Sequence, residues 1–101
     1  MGELIAFPAP DPAPRTTEPE PLWREAVGRE LREERTSQTR TLADVAQDAG
    51  VSTQYLSEIE RGLKEPSSEV LHAVAGALDL RLVDLTIRVS RTLRGPVALA
   101  A

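Results

Sequence analysis

The stretch from Thr41 to Gly62 constrains this chain most. It reads TLADVAQDAGVSTQYLSEIERG and holds start and stop signals for two short helices. Thr41 with an acid three residues on, Asp44, is close to a capping box, and the carboxylate suits the positive end of a helix. Leu42, Val45, Ala46 and Ala49 make an inward stripe over 41–49. Gly50 then stops the helix, as a residue free to take positive φ should. Ser52 caps a second helix over 52–61, with Leu56 and Ile59 facing inward and Gly62 at its end. Two short helices joined by a brief Gly-containing turn form a helix-turn-helix arrangement. Ala46 is small where the second helix crosses close above it, and Val51 plugs the space under the turn. Thr53, Gln54, Ser57 and Glu58 are left on the outward face. Short hydrogen-bonding side chains of this kind suit base edges in a major groove.

Helical spacing continues on both sides. Trp23, Val27 and Leu31 recur every four residues, which predicts an amphipathic helix from Leu22 to about Thr36. Trp23 is expected to anchor that helix to the core. Ser37-Gln38-Thr39-Arg40 reads as a polar loop. Pro66-Ser67-Ser68-Glu69 signals the next start, with Ser67 as N-cap. Val70, Leu71, Val74, Ala75 and Leu78 trace the buried face of a helix ending near Asp79. Leu82, Leu85, Val89 and Leu93 predict a fifth helix within 81–94, broken by Gly95-Pro96. The fold class is all-α, with 22–80 as the DNA-binding unit and 95–101 as a flexible tail.

Residues 1–21 differ in kind. They hold six of the eight prolines, four of them at every second position from Pro8 to Pro14. Proline supplies no N–H and disfavours helix in the residue before it, so an extended, disordered arm is expected. The arm carries one base and four acids, a net charge of −3, whereas 22–94 carries 11 bases and 12 acids. Most of the chain's net charge of −4 is therefore outside the helical part, and sign asymmetry matters more than the total for a partner meeting one face.

Composition excludes several classes. With no Cys and one His, disulfides, Cys-based zinc sites and a His-dependent catalytic set are not expected. Neither a cofactor nor a metal is expected, and no Ser, His and Asp spacing suggests a triad. No apolar run approaches the roughly 18 residues of a membrane span, and no signal-peptide layout opens the chain. A cytoplasmic location is expected. A chain of 101 residues buries only about 60–65% of its unfolded surface, which leaves little room for an enclosed active site, and no enzyme is expected.

The 41–62 string resembles the helix-turn-helix of phage-repressor-like (XRE) transcription factors. The similarity runs from about Val27 to Leu85 and takes in Leu31-Arg32-x-x-Arg35 and Pro66-Ser67. Tyr55-Leu56-Ser57-Glu58-Ile59-Glu60-Arg61-Gly62 is its most characteristic run. Thr39 departs from the pattern, because the family usually has Gly there. Within the family, YLSE-x-ERG-x-KE-x-SSE from Tyr55 to Glu69 is similar to the actinobacterial regulators of Clp protease genes (ClgR-like proteins). The resemblance implies a five-helix, lambda-repressor-like DNA-binding domain and a transcriptional activator of Clp protease and related proteostasis genes. It implies base reading by Thr53, Gln54, Ser57 and Glu58. It implies phosphate contacts by Ser52, Arg61, Lys64 and Ser67, joined by Arg40, and a structural ion pair between Arg35 and Glu60.

Alternatives stand beside these expectations. Tyr55 either touches DNA or packs on the fourth helix. His72 is read as a solvated residue rather than a ligand. Asp44 and Asp48, one turn apart, either cap and solvate their helix or contact basic residues of RNA polymerase. The stripe Leu82, Leu85, Val89 and Leu93 has few helices left to cover it. It is expected to form a homodimer on a pseudo-palindromic operator of double-stranded DNA, with half-sites about 34 Å apart; otherwise it folds back on the first and fourth helices. The end Ala98-Leu99-Ala100-Ala101 is similar to the tail of the tmRNA-encoded degradation tag. Leu99, Ala100 and Ala101 would then make the chain a substrate of Clp protease; otherwise they are an alanine-rich frayed end. A repressor, an antitoxin, or a protein-interaction module that no longer binds DNA are the remaining readings.

Overall fold

The computed structural model describes residues 22–94. Five helices follow one another: α1 (Trp23–Ser37), α2 (Leu42–Ala49), α3 (Thr53–Glu60), α4 (Ser68–Ala77) and α5 (Leu82–Arg94). Four of them begin where the chain supplies an acceptor. Glu25 reaches back to accept the Leu22 N–H at 3.0 Å. Thr41 Oγ1 accepts the Asp44 N–H at 3.0 Å, Ser52 Oγ accepts that of Tyr55 at 3.0 Å, and Ser67 Oγ accepts that of Val70 at 3.2 Å. These bonds satisfy donors that the start of a helix leaves without partners.

The first four helices end by one device. Thr39, Gly50, Gly62 and Asp79 take left-handed φ of 52°, 76°, 77° and 59°. In each case that residue's N–H donates three residues back and the following N–H donates five back from itself. The pairs are Thr39→Thr36 with Arg40→Arg35, Gly50→Gln47 with Val51→Ala46, Gly62→Ile59 with Leu63→Glu58, and Asp79→Gly76 with Leu80→Ala75. This is the Schellman arrangement, whose left-handed position favours Gly. Gly50 meets that demand between α2 and α3. Thr39 meets it with a β-branched residue, for which positive φ is an outlier.

The packing order is α1 against α3 and α5, α2 against α3 and α4, and α4 against α5. The core is wholly aliphatic, built from Val27 and Leu31 of α1, Val45 and Ala46 of α2, Leu56 and Ile59 of α3, Val74 and Ala75 of α4 with Leu78 after it, and Leu85 and Val89 of α5. Gly28 sets how closely α1 approaches α3. A Cβ there would lie 2.2 Å from the Ile59 carbonyl oxygen and 2.7 Å from that of Glu60.

Two sequence expectations change. Trp23 is not a core anchor; it is 40% exposed. The antiparallel run of α5 along α1 explains this. Thr92 bonds Glu30 and Arg88 bonds Glu34, so Arg94, the last residue of α5, falls short of the first turn of α1. Nor is the stripe Leu82, Leu85, Val89 and Leu93 left uncovered. Leu85 and Val89 are fully buried in the single chain, and Leu82 and Leu93 pack beside them. The same antiparallel seating on α1, with α4 below, buries Leu85 and Val89 completely and leaves Leu82 and Leu93 only partly exposed. What α5 exposes is Val83 and Ile87, at 49% and 45%. The expected arm (1–21) and the degradation-tag-like Leu99, Ala100 and Ala101 lie outside the described residues.

Candidate nucleic-acid interface

Helix α3 is amphipathic across its short length. Leu56 and Ile59 are fully buried, while Thr53 and Gln54 are exposed and Ser57 and Glu58 half-buried. The polar edge is thus accessible while its apolar edge is fixed beneath. Gln54 and Glu58 stand one turn apart, with Gln54 Nε2 donating to Glu58 Oε2 at 3.5 Å. Lys64 lies 3.9 Å from the other Glu58 oxygen. A Gln and an acid on one edge offer both donors and acceptors to base pairs.

Ser52, Arg61, Lys64 and Ser67 flank that edge and are all exposed. The hydroxyls of Ser52 and Ser67 accept backbone N–H groups as caps. A hydroxyl that accepts still has its own hydrogen to donate, so a capping serine can also bond a phosphate oxygen.

Arg35 and Glu60 form a bidentate pair. Arg35 Nε donates to Glu60 Oε2 at 2.7 Å and Nη2 to Oε1 at 2.9 Å. Its Nη1 donates to the Arg40 carbonyl at 2.9 Å. The side chains are only 13% and 5% exposed. The hydrogen bond to Glu60 holds the Arg35 guanidinium above its ordinary pKa. One residue therefore ties α1 to both the end of α3 and the loop before α2, which fixes the tilt of α3.

Arg40, expected at a phosphate, has partners within the protein. Its Nη1 donates to the Ala77 carbonyl at 2.6 Å and its Nη2 pairs with Asp48. The last carbonyls of α4 lack helical partners, and this guanidinium caps one of them while its charge is balanced by Asp48. Asp48 is therefore ion-paired rather than simply solvated, and Asp44 closes the capping box, accepting the Thr41 N–H at 3.4 Å. Tyr55 packs half-buried against the core, and His72 is exposed.

Sequence reasoning passed over Gly28, Gln38, Glu30 and Glu34. Gln38 Nε2 bridges Glu34 at 2.8 Å and the Leu78 carbonyl at 2.8 Å. In the sequence Gly28 looks like a weak helix former, Glu30 and Glu34 like ordinary solvated helix residues, and Gln38 like part of a polar loop. No group of three metal-binding side chains occurs among the described residues, and no helix there is long and apolar enough to cross a membrane.

Comparison with known proteins agrees with this geometry. A helix-turn-helix family model matches residues 31–85. The transcriptional regulator ClgR of Mycobacterium tuberculosis (strain H37Rv) is 61% identical over 61 residues, covering 60% of this chain and 54% of that protein. This chain thus spans about half the length of the curated relatives it matches. A crystal structure of the clp gene regulator ClgR from Corynebacterium glutamicum superposes with a TM-score of 0.74 at 43% identity, over 81% of this chain and 87% of that one. The restriction-modification controller protein C.Esp1396I, solved as a tetramer with its natural 35 base-pair operator, shares the fold. It has a TM-score of 0.68 at 19% identity, over 74% of this chain and 99% of that one.

Proposed function

Because this chain belongs to the helix-turn-helix family, in its XRE branch and among ClgR-like proteins, we propose that it is a DNA-binding transcriptional regulator that reads sequence through α3. The observation carrying this reading is the division of α3 itself. Leu56 and Ile59 are locked in the core while Thr53, Gln54, Ser57 and Glu58 form an accessible polar edge. Phosphate contacts from Ser52, Arg61, Lys64 and Ser67 supply salt-dependent affinity, and α3 supplies sequence choice. The relatives are named as regulators, not enzymes.

The finer assignment follows those relatives. The chain activates Clp protease and related proteostasis genes from a pseudo-palindromic operator, as a cytoplasmic homodimer. An activator needs a contact with RNA polymerase, and the exposed carboxylates of Asp44 and Asp48 on α2 are its candidates.

The experiment is selection of bound duplexes from a random pool, followed by affinity measurement on the selected site. Gln54→Ala relaxes choice at one base position by about 1–3 kcal/mol. Arg61→Ala weakens every sequence alike and lowers the salt slope by about 1. Loss of sequence choice in Arg61→Ala with none in Gln54→Ala inverts the assignment.

A further inference from the structure

Helix α1 runs beside the end of α3, and between them lies an open polar groove of about 380 Å³ lined by Glu25, Arg29, Arg32, Glu60 and Arg61. Of its two carboxylates only Glu60 is charge-balanced, by Arg35; Glu25 keeps its charge, so three guanidiniums face one uncompensated carboxylate. Glu60 is held by Arg35 in two hydrogen bonds, and Glu25 accepts the Leu22 N–H. Arg29, Arg32 and Arg61 are exposed, and none of them is ion-paired with a carboxylate among the described residues. Arg29 and Arg32 are three apart on α1 and so share a face. A helical part with 11 bases and 12 acids therefore concentrates unbalanced positive charge at one place. That place adjoins Arg61, the residue after α3.

We propose that this groove is a second backbone-contacting surface, which takes the sugar-phosphate strand flanking the segment read by α3. The inference rests on the DNA-binding reading above and extends it to α1. Packed helices lie about 8–10 Å apart, and successive phosphates of one strand advance about 3.4 Å along the duplex. Arg29 and Arg32 thus meet phosphates a few steps beyond the one at Arg61. Guanidinium suits the task because its planar fork bonds phosphate oxygens in pairs. The contact carries no sequence information. It lengthens the bound footprint and raises affinity for all duplexes alike.

The test uses the full chain and a fluorescent 40 base-pair random-sequence duplex, with affinity measured from 50 to 200 mM KCl. Arg29→Ala/Arg32→Ala lowers the salt slope by roughly 1.8, about 0.9 for each phosphate no longer neutralised, and Arg29→Lys/Arg32→Lys keeps the wild-type slope. Both side chains are exposed, and an unchanged helical circular dichroism spectrum shows that the fold is kept. A wild-type slope in the alanine variant, while Arg61→Ala still lowers it, overturns the proposal and leaves the α3 reading intact. That outcome points to an acidic protein partner for the groove. Absence of any salt-dependent duplex binding by the unaltered chain removes the DNA reading and this proposal together.

Discussion

At residue scale, one position stores strain that the sequence already marks. Thr39 holds φ 52° at the left-handed position of the turn after α1, a position that favours Gly. A non-Gly residue in that region costs about 1–2 kcal/mol, and part of any gain from Gly is offset by the greater freedom of the unfolded chain. Thr39→Gly should stabilise the protein by about 0.5–1 kcal/mol, which thermal unfolding reads as a rise of roughly 3–5 °C. Destabilisation would mean that the Thr39 hydroxyl, which donates to the Gln38 carbonyl at 2.6 Å, outweighs the backbone. The exception at Thr39 was legible because it broke a pattern. Gly28 was not, since a glycine inside a helix looks like a weak helix former until the Ile59 and Glu60 carbonyls are seen against it. The internal partners of Arg40 were hidden for a similar reason. A basic residue before a helix-turn-helix suggests a phosphate, and only the fold reveals the Ala77 carbonyl and Asp48 waiting for it.

At the scale of elements, α5 is the instructive case. Its spacing predicts a helix and its apolar stripe correctly, yet spacing cannot tell a stripe that meets a partner from one that meets α1. The polar seam between α1 and α5 settles it. Glu34 accepts from Gln38 and from Arg88 Nη1, the latter at 2.6 Å, and Thr92 donates to Glu30 at 2.6 Å. The Gln38 bond first, then Arg88, holds the Glu34 carboxyl below its ordinary value near 4.5. A depressed carboxyl stabilises the fold fully above that ordinary value and loses its contribution as pH falls through the lowered one. The stability of wild type and Glu34→Gln should therefore differ at neutral pH and converge as pH falls from 4.5 through the lowered value. A constant difference at every pH would remove the linkage.

The exposed pair on α5 belongs to the same scale. Val83 and Ile87 are one turn apart and solvated in the single chain, so the proposed dimer forms across them and not across Leu85 and Val89. Val83→Asp/Ile87→Asp should give a folded monomer by light scattering at micromolar concentration, with binding to a two-half-site duplex weakened at least tenfold. A dimer that survives this change would place the interface elsewhere.

At the scale of the whole molecule, the five helices hold the polar edge of α3 at a fixed tilt. The capping signals, the four left-handed turns and the aliphatic core all serve the crossing of α3 over α2. The start of α3 at Ser52 and its exposed residues follow from cap chemistry and period alone. The tilt does not, because it depends on Arg35 spanning Glu60 and the Arg40 carbonyl. That pair is sheltered, and removing one partner should cost about 3 kcal/mol, loosening the angle at which α3 meets a duplex.

The most direct measurement is the structure of the full chain on its selected duplex. The account predicts α3 lying in the major groove, with Gln54 and Ser57 within hydrogen-bond reach of base edges and Arg61 at a phosphate. A complex in which α3 faces away from the duplex, with another surface against the bases, would contradict it.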